Sequence, residues 1–190
     1  MSNLFDQLME GVEVRTDYTD GHSETLTGED SPTGQPVIFI NSDRYTGRAH
    51  DKMVKAEALH LLKYKKPELH AKLYGMALRD PEYMAWARRS YDIATGAAPD
   101  PETGKKVDPA RKEDRPFNKW HDVSRFDQVI GGYILAQDPD LPTMRNWSRP
   151  DLPIGPELRG ELEKLRQEFN NRSPSLSQPP KVAQKRAPNK

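Results

Sequence analysis

Apolar and polar positions change their rhythm twice along this chain. Val12-Glu13-Val14-Arg15-Thr16 alternates, and Pro36-Val37-Ile38-Phe39-Ile40-Asn41 is a short apolar, β-branched run, so both read as strands. Gly21, Gly28, Pro32 and Gly34 punctuate the stretch between them, which predicts a hairpin or small sheet. From about Ala49 the spacing becomes helical, with Met53, Val54, Ala56, Leu61 and Leu62 available for one buried face and an end near Lys65. Pro67 suits the first turn of a second helix through Leu69, Leu73 and Met76. Asp80-Pro81-Glu82 combines an N-cap, a first-turn proline and a first-turn acid, and so opens a third helix carrying Tyr83, Trp86, Ala87 and Tyr91.

Residues 95–116 have no apolar period and are rich in Pro, Gly and charge, which predicts a long loop. Ser124 then opens a helix whose stripe is Phe126, Val129, Ile130 and Ile134, and Pro156 opens a last one through Leu158, Leu162, Leu165 and Phe169. Strands come first and helices after, so the expected class is α+β: a small N-terminal sheet or hairpin followed by four to five helices, mostly helical. The expected organisation is a flexible N-terminus over 1–9, one domain over 10–170, and a disordered basic tail over 171–190. Phe117, Trp120 and Trp147 sit beside prolines and charges, where an aromatic staples a connection to the core or marks an interface.

Composition sharpens the picture at three points. The hydrophobic share of 34% is low and 17 prolines are many, so part of the 190-residue chain is expected to lie outside the core. There is no cysteine, so any metal site must be built from histidine and carboxylate. The net charge of zero hides opposite ends: residues 1–30 hold eight Asp or Glu against Arg15 alone, and 172–190 hold five Lys or Arg and no acid. Nucleic acid is therefore a candidate partner only through the basic tail. Residues 1–10 lack a positive and apolar leader, and no apolar run approaches the ~20 residues of a membrane span, so neither export nor membrane insertion is expected.

Nothing resembles a G-x-S-x-G elbow, a P-loop or a G-x-G-x-x-G turn. The segment with chemical content is Met53-Val54-Lys55-Ala56-Glu57-Ala58-Leu59-His60-Leu61-Leu62, which sets a carboxylate and an imidazole three residues apart on one helical face. A metallopeptidase helix of the H-E-x-x-H kind aims two imidazoles at one zinc ion and uses the intervening glutamate as base on the metal-bound water. Here the string is A-E-x-x-H.

On these residues, with the preceding strand Val37–Ile40, the chain over about 36–136 resembles the zincin metallopeptidases, phage-type zincin-like domains in particular. The resemblance implies Glu57 as catalytic base, His60 as a zinc ligand, Ala56 in the place of the other imidazole, and a further ligand from a later helix, for which Asp127 is the nearest candidate. Zinc is the implied cofactor. Losing an imidazole ligand costs orders of magnitude in affinity, given that outer-shell changes alone cost about 10–100-fold, so weak or absent peptidase activity is expected. It also implies an intracellular setting, in a phage-infected host or a virion.

Other readings of the same residues stay open. Glu57 and His60 also fit an ordinary i,i+3 pair beside a leucine cluster. Asp127 also fits an S-x-x-D capping box with Ser124. His50 precedes His60 by ten residues, about 15 Å along a helix, too far to share a metal. His70 and His121 could approach His60 in space. The alternative to a zincin-like protein is a non-enzymatic structural or adaptor protein, of viral origin, that works through a protein partner.

Overall fold

The computed structural model describes residues 2–18, 23–121, 126–135 and 152–170. The fold is α+β and mostly helical. Strands β1 (Glu13–Tyr18), β2 (Glu24–Leu26) and β3 (Val37–Asn41) form one sheet. The helices are α1 (Leu4–Met9), α2 (Arg48–His60), α3 (Leu62–Lys65), α4 (Pro67–Arg79), α5 (Pro81–Ala94), α6 (Phe117–Trp120), α7 (Phe126–Leu135) and α8 (Pro156–Asn170). None of the described helices is long and apolar enough to cross a membrane.

The two anticipated strands are present, but they do not form a hairpin. β1 runs parallel to β3, and β2 runs antiparallel along the other side of β3, in the order β1-β3-β2. A hairpin would require antiparallel neighbours; the long connection from β1 to β3 leaves room for a parallel pairing and for a third strand on the way. With three residues, β2 is too short to show an alternation in sequence. β3 is central and is buried on both faces, with Val37, Ile38 and Ile40 fully enclosed, which explains its continuous apolar run. Val14 and Thr25 both stand opposite Ile38, so these three residues share the face that meets the helices.

The N-terminus departs from the expectation of a flexible 1–9. Residues 4–9 are α1, capped by the Asn3 side chain, which accepts the Asp6 N–H at 2.7 Å. Leu4 and Leu8, one turn apart, are buried in the core, and Phe5 meets Phe169 of α8 edge to face at 5.5 Å. Two leucines in six residues are too short a pattern to separate a helix from a loop; the cover supplied by α8 decides it.

The helix expected to continue to Lys65 breaks at Leu61, which is fully buried, and α3 resumes for one turn. Pro67 and Pro81 stand in the first turns of α4 and α5 as anticipated, and the Asp80 carboxylate accepts the Glu82 and Tyr83 N–H groups. Residues 95–116 form a loop with one 3₁₀ turn at Pro109–Arg111. It is clipped to α5: the Glu113 N–H donates to the Ala94 carbonyl, and the Tyr91 hydroxyl donates to the Arg115 carbonyl. α7 buries its predicted stripe, and α8 buries Leu158, Leu162, Leu165 and Phe169. Phe117 and Trp120 staple α6 to α5 through Tyr91, at ring distances of 5.4 and 5.3 Å. Ser124 with its proposed capping box, Trp147 and the 171–190 tail lie outside the described residues.

Candidate functional site around Glu57 and the buried histidines

The C-terminal half of α2 is enclosed by the sheet, α1, α3 and α7. Met53, Ala56, Ala58 and Leu59 are buried, as the apolar spacing requires, and Glu57 is drawn in with them at 7% exposure. α7 packs on α2 beside Leu59, and a Cβ at Gly131 would lie 3.9 Å from Leu59 Cδ1, ordinary contact, so the approach does not depend on glycine there.

A buried carboxyl needs a hydrogen-bond partner, and Glu57 finds one across the sheet. Thr25 Oγ1 lies 2.7 Å from Glu57 Oε2 and also 3.0 Å from the Glu57 carbonyl oxygen. Burial pushes the Glu57 carboxyl above its usual range; His60 and the Thr25 hydroxyl pull it back, and Glu24 pushes it up again. His60, one turn on, is half-buried at the end of α2. Of the residues singled out in sequence, Glu57 and His60 are thus neighbours on one helix, with strand β2 fastened over the first of them.

Asp127 is engaged elsewhere. Its Oδ1 lies 2.7 Å from His70 Nε2, joining α7 to α4, with the His70 side chain 6% and the Asp127 side chain 18% exposed. His70 stacks on Tyr74 and meets Phe126 edge to face. His121 is fully buried, with Nε2 2.7 Å from the Tyr83 hydroxyl and Nδ1 3.3 Å from the Tyr74 hydroxyl. The two histidines weighed as substitutes for the missing imidazole therefore belong to one polar and aromatic cluster between α4, α5, α6 and α7.

Among the described residues no three His, Asp or Glu side chains converge to hold a metal ion, so Glu57, His60 and Asp127 are not gathered into one site. Asp127, expected as the ligand from a later helix, lies beside the imidazole of His70.

Sequence reasoning missed the His70–Asp127 pair and the Thr25–Glu57 bond. The first had a faint signal, since His70 falls on the same stripe of α4 as Leu73 and Ala77, which are buried. The second had none, because Thr25 lies in a three-residue strand 32 positions from its partner.

No family model, no curated protein and no solved structure matches this chain.

Proposed function

We propose that this chain is a zincin-like protein, of the phage type, in which peptidase activity is weak or absent and whose role is exercised through contacts with a protein partner. The observation that carries the reading is the state of Glu57. The residue that would serve as base on a metal-bound water is bonded to Thr25 of β2, and the position one before it is the methyl of Ala56 rather than an imidazole. The Asp127–His70 pair supports the same reading, since it occupies the carboxylate best placed in sequence to complete a ligand set.

The test compares the purified wild type with His60→Ala, Ala56→His and Glu57→Gln, by elemental analysis and by hydrolysis of an unstructured protein substrate. Wild type is expected to carry no stoichiometric zinc and to show no hydrolysis that Glu57→Gln removes. Ala56→His, which rebuilds H-E-x-x-H, is expected to gain zinc that a further His60→Ala change removes. Stoichiometric zinc in the wild type that disappears with His60→Ala, together with hydrolysis abolished by Glu57→Gln, would overturn the proposal in favour of a working peptidase.

A further inference from the structure

β1 is paired on one side only. Its place at the end of the order β1-β3-β2 leaves an edge, and the register shows which backbone groups line it. The Glu13 N–H donates to the Pro36 carbonyl at 3.2 Å, and Glu13 and Arg15 stand opposite Val37 and Phe39, so these two residues turn their backbone groups toward β3. Val14, between them, turns its N–H and carbonyl the other way, where no backbone group among the described residues bonds them. The side chains on either side of it are open to solvent, Glu13 at 50% and Arg15 at 37% exposure. An open edge of this kind is a template for another strand.

Three residues specify the strand that fits. Glu13 and Arg15 flank Val14 with opposite charges on the face of the sheet away from the helices. They are bonded to each other at 2.8 Å, and the Arg15 guanidinium lies 5.7 Å from the centre of the Phe39 ring. A second copy laid antiparallel about a two-fold axis at Val14 brings Val14 opposite Val14, each donating its N–H to the other's carbonyl. It also brings Glu13 opposite Arg15 of the second copy twice over, in the closer, non-hydrogen-bonded kind of pair, with Cα atoms about 4.5 Å apart. A parallel second copy in the same register would instead set Glu13 against Glu13 and Arg15 against Arg15. We infer that β1 is a dimerisation edge, joined antiparallel to β1 of a second copy about Val14, with Glu13 and Arg15 paired across the two-fold axis.

The rest of the strand agrees. The register slips between Arg15 and Tyr18, so regular pairing centres on Val14 and the irregular end of the strand is a poor template for other chains. Val14 faces the helices with Ile38, so the apolar face of the sheet continues from one copy into the next. The formal net charge of zero sets no long-range repulsion between the copies. The pairing stands on backbone directions and on two charges, and it holds whether or not the chain is related to the zincins.

The experiment is sedimentation equilibrium of the whole chain over a concentration series, with Glu13→Arg, Arg15→Glu and the double exchange beside the wild type, and circular dichroism to check that each is folded. Wild type should pass from one chain to two as concentration rises. Either single change sets like charges opposite each other twice and should weaken association about tenfold or more, and the double exchange should restore it. Mixed together, the two single variants should associate with each other more tightly than either does with itself, because each then meets its opposite charge. A Glu13–Arg15 bond that serves only within one chain gives no such rescue. The chain has no cysteine, so Glu13→Cys mixed with Arg15→Cys should form a disulfide between copies on oxidation, faster than either does alone, which tests the register even where a charge variant does not fold. A wild type that stays monomeric at every concentration, a mixture no more associated than its components, or a dimer in which that disulfide is not favoured would overturn the inference.

Discussion

The Asp80 carboxylate holds two distant parts of the chain at once. One oxygen accepts the Glu82 and Tyr83 N–H groups, each at 3.0 Å, and caps α5, while the other accepts the Gly155 N–H at 2.7 Å and fixes the entry to α8. A helix cap alone contributes about 1 kcal/mol, and a buried donor left unpaired costs about 1–3 kcal/mol. Asp80→Ala is therefore expected to destabilise the protein by about 2–4 kcal/mol in chemical denaturation. Gly155→Ala places a Cβ 3.0 Å from Asp80 Oδ2 and should cost about 1–2 kcal/mol by pushing that oxygen aside. Because both changes break one contact, the double variant should be less destabilised than the sum of the single ones; strict additivity would show that the two residues do not act together.

The His70–Asp127 pair joins α4 to α7 in a mostly buried place. Asp127→Ala leaves the imidazole without its carboxylate partner and is expected to cost about 2–4 kcal/mol, read from thermal melting or denaturant midpoints. His70→Ala in that background should then cost less than it does in the wild type. A fully stable Asp127→Ala protein would show that the pair contributes nothing to the fold.

The buried His121 ring is held between two tyrosine hydroxyls and stacks on Phe117. His121→Phe keeps an aromatic ring but removes the 2.7 Å bond to Tyr83, so a loss of about 1–3 kcal/mol is expected. Adding Tyr83→Phe to that variant should recover part of the loss, because the buried hydroxyl is then gone. The comparison of the two unfolding midpoints checks it.

In the loop after α5, the Arg115 guanidinium bonds both oxygens of Glu113 and holds that carboxyl down at about 2. A depressed carboxyl contributes above its unfolded value of 4.5, and the contribution is lost as pH falls through about 2. An NMR titration of Glu113 should place its midpoint at about 2 in the wild type and raise it toward 4.5 in Arg115→Ala, which loses the guanidinium but keeps the backbone N–H of residue 115 on the carboxylate. Arg115→Ala should also speed tryptic cleavage within 97–112; unchanged cleavage would mean that the pair does not secure the loop. Gly96, with φ of 74°, turns the chain into that loop, so Gly96→Ala should cost about 1 kcal/mol from the left-handed backbone alone.

Most of the helical frame was readable because its signals are local. Pro67, Asp80-Pro81 and Pro156 mark helix starts through backbone chemistry that neighbours in sequence complete, and the stripes of α7 and α8 repeat often enough to reveal a buried face. β3 was readable for the same reason, as an apolar run between turn signals. The partial misses fall where a segment is too short for a pattern. α1 offers two leucines and β2 three residues, and each is ordered by what covers it: α8 in one case and β3 in the other.

The candidate site divides along the same line. That Glu57 and His60 share a helix, and that Ala56 offers no ligand atom, follow from sequence, because i,i+3 spacing on a helix is fixed by 3.6 residues per turn. That Glu57 is buried under Thr25, that Asp127 belongs to His70, and that α2 stops at Leu61 depend on residues 32 and 57 positions apart and on the packing of α7 and the sheet around one helix. Sequence determines which groups each element can offer and on which face. Only the tertiary structure decides which of them meet, because burial and long-range hydrogen bonds belong to the whole packed chain and to no single segment of it.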